Sequence, residues 1–160
     1  MLRRCSIAVL ALLVACEQAS PPASPSAAAP PFKPVATSRQ LMEEIMEPAA
    51  NVYWEAVGSV TDKQGTVERA PKSDAEWIAV RNAATVVTEA GNLLMIAPRA
   101  RNQDEWMALS RALVEIGARA RTVAEARDAK AVFDVGADLY QACVNCHAIY
   151  LVGPKATPPQ

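Results

Sequence analysis

Between residues 38 and 151 the chain repeats apolar side chains at alternating spacings of three and four, four times over. That period places one apolar stripe on each of four helices, and stripes of this kind must be buried against one another. The first pattern runs from about Ser38 to Val57 with the seam Met42, Ile45, Ala49, Val52 and Ala56. Thr37 with Gln40 reads as its capping box, Pro48 as a kink and Gly58 as its end. The second starts at a capping box, Ser73 with Glu76, carries Trp77, Val80, Ala84, Val87, Gly91 and Leu94, and is stopped by Pro98. The third starts at Asn102 with Glu105 and carries Trp106, Leu109, Leu113, Ile116, Ala120 and Val123. The fourth starts at Asp128 and carries Val132, Val135, Leu139, Ala142 and Cys146, with Tyr150 one turn further on. The expected fold class is all-α, an antiparallel four-helix bundle. Residues 59 to 72 form the longest interior loop, where Asp62-Lys63-Gln64-Gly65 is a turn and Val60-Thr61 can pair with Thr66-Val67 as a minimal hairpin.

The ends differ in kind. Met1-Leu2-Arg3-Arg4 followed by the apolar run Ile7 to Ala15 reads as a secretory signal, too short to span a bilayer. It closes as Leu13-Val14-Ala15-Cys16, which looks like a lipobox, so residues 1–15 are expected to be removed and Cys16 to carry lipid. Residues 16–37 are rich in Pro, Ala and Ser and are read as an extended tether. Residues 38–153 are the folded domain, and 154–160 an irregular tail. The location expected is the periplasmic side of a membrane, inner or outer, with the domain held by its lipid anchor.

The last helical pattern ends in Cys143-Val144-Asn145-Cys146-His147. Two thiols three residues apart share one helix face, and an imidazole follows at once. This spacing is that of a c-type haem attachment site. Both sulfurs can form thioethers with the vinyl groups along one porphyrin edge, and His147 can then be an axial ligand to iron. A zinc site would need about four ligands, and the chain has one His and no further Cys in the folded part. A thioredoxin-like pair belongs at a helix start beside a βαβ pattern, and here the pair ends a helix. With Cys5 lost with the signal and Cys16 lipidated, no disulfide is left to form.

These residues resemble the class II c-type cytochromes, the cytochrome c′ and c556 types, over residues 38 to 151. The attachment motif lies at the end of the last helix, Tyr150 meets the Cys-x-x-Cys-His-x-x-Tyr pattern, and Arg39-Gln40 meets an Arg-Gln near the start of the first helix. Leu151 stands where that family often has a basic residue. The chain looks still more like an exported lipoprotein subgroup, through Leu41-Met42, Pro48-Ala49-Ala50, Trp54 to Gly58, Asn92-Leu93-Leu94 and Arg99. The resemblance implies one covalently bound haem c between the first and last helices, redox partner proteins and, as often in that class, a homodimer.

Met42 and Met46 lie one turn apart on the first helix. Either can fill core space, and a Met opposite His147 would raise the reduction potential, as suits an electron carrier. Met42 lies nearer the apolar stripe and is the favoured second ligand, with Met46 the alternative. In c556-type chains the ligand Met comes four residues after the Arg, a position held here by Glu43. Met42 is therefore one residue early, a rotation of about 100°. Arg39 and then Arg99 are the candidate donors to the haem propionates, against the commoner role of a solvated surface Arg. Trp54, Trp77 and Trp106 read as core or interface anchors.

The expectation is thus a membrane-tethered monohaem carrier of single electrons, not an enzyme. The alternatives are a five-coordinate protein binding nitric oxide or other small gases, and a haem subunit of a larger redox complex. Without Arg3 and Arg4 the chain has 14 basic against 17 acidic residues, a net of −3, and no basic block for nucleic acid.

Overall fold

The computed structural model describes residues 32–151. The signal segment, Cys16, most of the tether and the tail 154–160 lie outside the described residues. The described chain is mostly helical: α1 (Ser38–Leu41), a π-helical turn (Met42–Met46), α2 (Glu47–Glu55), α3 (Asp74–Leu94), α4 (Glu105–Glu125) and α5 (Ala129–Tyr150). Between α2 and α3 stand two strands, β1 (Gly58–Asp62) and β2 (Gly65–Arg69). None of these helices is long and apolar enough to cross a membrane.

The helix starts follow local chemistry. Thr37 and Gln40 bond reciprocally at the head of α1, and Ser73 and Glu76 do so at α3. Three donors, the backbone amides of Lys72 and Ser73 and the Ser73 hydroxyl, hold the Glu76 carboxyl below its ordinary pKa. At α5 the Asp128 carboxylate accepts from the Ala131 amide at 2.9 Å. The third expected start moves: α4 begins at Glu105, not Asn102. The Asn102 carboxamide oxygen still accepts from the amides of Asp104 and Trp106, so it caps the helix from just outside.

The seams of the last three helices lie inward. Val80, Ala84, Val87, Gly91 and Leu94 of α3 are buried, with Trp106, Leu113 and Ala120 of α4 and Val132, Val135 and Leu139 of α5. α3 packs along α4, α4 along α5, and α2 against α3 with a smaller contact to α5. The α3–α4 approach is close. A Cβ on Gly91 would stand 2.9 Å from Val114 Cγ2, and one on Gly117 would strike Thr88 Oγ1.

The first seam is corrected. The buried residues are Leu41, Met46, Ala50, Tyr53 and Val57, while Ile45 and Val52 are exposed. The reason is the π turn. The amide of Glu47 bonds to the carbonyl of Met42, five residues back instead of four. In an uninterrupted α-helix Met42 would share the face of Met46. With one extra residue in the turn, Leu41 takes that inward place and Met42 is swung off it by about 100°. Pro48 follows in the first turn of α2. It has no amide proton for the carbonyl of Glu44, so the disturbance expected there takes the form of a widened turn ahead of it.

Residues 58–69 form the hairpin expected there, extended to a two-stranded antiparallel sheet with Val60 opposite Val67 and Thr61 opposite Thr66, a small addition compatible with an all-α class. The Asp62 carboxylate accepts from the Gln64 amide at 2.8 Å, and Gly65 takes φ +132°, open to glycine and strained for other residues. The helix before it ends at Glu55, and Gly58, at φ +148°, opens β1.

Candidate cofactor site

α5 reaches the site because its first half is anchored by Val132, Val135 and Leu139, carrying Cys143, Cys146 and His147 on its last two turns. All three are half-buried, and the two thiols are not joined as a disulfide. Burial pushes the Cys143 thiol pKa up, and neighbouring Cys146 adds to this. Burial also raises the Cys146 thiol; nearby Arg101 opposes the shift and Glu105 reinforces it. Raised thiols near a helix C-terminus are the reverse of a reactive thioredoxin-like pair, whose thiolate is stabilised at a helix start.

Cys146 and His147 open onto a cavity of about 450 Å³. It is also lined by Ser38, Arg39, Met42, Glu43 and Glu47 of the first helical segment and by Trp106 and Tyr150. Met42 therefore faces the same space as His147. Met46 does not line it and is 4 % exposed in the core. The π turn makes this division, because it takes Met42 off the face that Met46 keeps.

The wall is fixed by its own bonds. Trp106 is buried, donates its indole N–H to the carbonyl of Leu94 at 2.8 Å, and meets Tyr150 edge to face at 4.9 Å. The Asn102 amide donates to the Tyr150 hydroxyl at 2.8 Å. Among the described residues the His147 side chain makes no hydrogen bond, which leaves its ring nitrogens free to coordinate.

The arginines separate. Arg39 stands on the rim, largely exposed, and donates to the Glu43 carboxylate at 2.7 Å. Arg99 is not a solvated surface residue: it is 5 % exposed, with Nε donating to the carbonyl of Ala36 and Nη1 to that of Leu93. It ties the segment before α1 to the α3–α4 connection and does not line the cavity. Arg101 does line it, with its guanidinium 5.5 Å from the Trp106 ring centroid. No periodic signal in the sequence marks Arg101, because it stands in a loop five residues before the Trp it covers.

Of the other indoles, Trp54 is half-buried and bonds the carbonyl of Gly136 at 2.9 Å, and Trp77 packs half-buried on the core. Neither lines the cavity.

Among the described residues no three His, Cys, Asp or Glu side chains converge as a metal-binding group. The donors on the cavity are the His147 imidazole, the Met42 thioether and the Cys146 thiol; Cys143 stands one turn back on α5 and does not line it. A wall of Trp106, Tyr150 and Leu151 with charged residues, Arg39, Glu43, Glu47 and Arg101, also in the lining, an imidazole and thioether both on the cavity, and thiols three residues apart on one helix are compatible with a covalently held haem. The residues present fit that group. Compared with known proteins, the chain matches no family model, no curated protein and no solved structure.

Proposed function

We propose that this chain is a monohaem c-type cytochrome that passes single electrons between redox partner proteins, and that its helices form a four-helix bundle of the class II kind. In this reading the first helical segment, from α1 through the π turn to α2, counts as one bent helix beside α3, α4 and α5. The reading also makes it an exported lipoprotein, cut before Cys16 and held by lipid at the periplasmic side of a membrane.

The observation that supports it most is the shared cavity of Met42, Cys146 and His147. When bound, haem supplies a one-electron iron couple. The chain's own residues do the rest. Cys143 and Cys146 would hold the macrocycle to α5 through thioethers, so that it could not dissociate. His147 and Met42 would be the chain's ligands to the metal, and a thioether ligand would favour its reduced state. Trp106 and Tyr150, fixed by their own bonds, would hold one wall of the site in place. No bond of a substrate is made or broken in this role: one electron arrives from a reduced donor and leaves to an oxidised acceptor.

The test is the visible spectrum of the purified, exported protein in both redox states, with and without carbon monoxide. The proposal expects a Met-to-iron charge-transfer band in the ferric protein, lost in Met42→Ala and kept in Met46→Leu. It also expects slow or absent carbon monoxide binding in the ferrous wild type. A high-spin ferrous protein that binds carbon monoxide at once would overturn the carrier role in favour of gas binding.

A further inference from the structure

The cavity holding Cys146 and His147 does not end at its apolar walls. A second cleft of about 390 Å³, more polar in its lining, adjoins it. The two share Ser38, Arg39 and Arg101, and the cleft adds Thr37 and Arg99. The larger cavity, apolar where Met42, Trp106, Cys146, Tyr150 and Leu151 line it and with Glu43 and Glu47 also on its wall, thus opens at one edge into a cationic annex. That division suits an amphipathic disc, apolar over most of its area with its carboxylates along one edge.

Three guanidinium groups line the annex, and their other partners rank them. Arg39 already pairs with Glu43 at 2.7 Å. Arg99 spends two donors on backbone carbonyls and is nearly buried. Arg101 makes no ion pair among the described residues, lines both spaces, and is steadied over the buried ring of Trp106. An arginine held over an aromatic face keeps its fork of donors pre-oriented for a carboxylate.

We infer that Arg101, and not Arg39 or Arg99, is the residue that receives the porphyrin's carboxylate edge, at the seam where the apolar cavity meets the cationic cleft. This rests on the haem reading above. Two consequences follow. Arg101 neutralises negative charge beside the iron, so it holds the reduction potential up. Arg39, committed to Glu43, contributes little.

The test compares midpoint potentials of full-length haem-loaded wild type, Arg101→Leu, Arg101→Lys and Arg39→Leu. Each is checked for covalent haem by denaturing electrophoresis and for helix content by circular dichroism. The inference expects Arg101→Leu to lower the potential, Arg101→Lys to restore most of the loss, and Arg39→Leu to leave the potential near the wild-type value. An unmoved potential in Arg101→Leu, or an equal fall in Arg39→Leu, overturns it while the haem reading stands. A wild type without covalent haem overturns both. If Arg101→Leu fails to fold, Arg101→Gln decides in its place: it removes the charge and keeps a polar side chain, so a lowered potential is expected and an unchanged one contradicts the assignment.

Discussion

The indole nitrogen of Trp54 donates to the carbonyl of Gly136 at 2.9 Å, fastening α2 to α5. α2 continues from the turn that carries Met42, and α5 carries His147. Trp54 also meets Tyr140 edge to face at 5.9 Å. The bond therefore joins, near their other ends, the two elements whose far ends form the cavity. Trp54→Phe keeps most of the ring and loses the donor. It should cost about 1–2 kcal/mol, the sum of one net hydrogen bond and some apolar area. Urea unfolding of the haem-loaded protein should show a lower midpoint with an unchanged slope.

Tyr53 is fully buried, and its hydroxyl has no partner among the described residues. Burial pushes the phenol far above its ordinary range, so the folded protein keeps the proton when the unfolded chain would lose it. The sign follows from proton linkage: this part of the stability is whole below about pH 10 and declines as the pH rises further. Tyr53→Phe removes an unpaired buried hydroxyl at almost constant shape. It should be neutral or stabilise by up to about 1 kcal/mol at pH 7, and should flatten the decline of thermal midpoint on the alkaline side. A loss above about 2 kcal/mol would mean that the hydroxyl has a partner after all.

Gly117 and Gly136 should answer oppositely to the same change. A Cβ at Gly117 would strike Thr88 Oγ1 and stand 3.2 Å from Thr88 Cα, and backbone cannot swing aside. Gly117→Ala should destabilise by about 1–3 kcal/mol. At Gly136 the nearest atom is Trp54 Cδ1 at 3.4 Å, an ordinary contact. There the gain in helix propensity, up to about 1 kcal/mol, should offset any crowding. Thermal midpoints of the two single variants separate these outcomes.

How much of this was legible in the sequence depends on what each residue answers to. α3, α4 and α5 follow regular 3.6-residue periods, so their buried faces could be read directly from Val80 to Leu94, Trp106 to Ala120 and Val132 to Leu139. The first helix misled because it has apolar residues on two adjacent faces. Met42, Ile45, Val52 fit a regular period, while the true core set, Leu41, Met46, Ala50, Tyr53, fits only if one turn takes five residues. Nothing short of the hydrogen-bond pattern shows that. The Asp62–Gly65 turn was readable, but the full five-residue strands on either side were not, because all but Gly58 are exposed and no buried alternation marks them. At the site, Cys143, Cys146 and His147 are marked by spacing alone. Arg99 and Arg101 stand two residues apart in one loop, and only the packing shows that the first is committed to backbone while the second faces the cavity.

The attachment of haem to Cys143 and Cys146 is tested most directly by the intact mass of the exported protein after full denaturation. The account predicts the mass of the processed chain plus one haem, and a return to the bare chain mass when both cysteines are changed to Ala. A wild-type chain that carries no added haem after denaturation contradicts it.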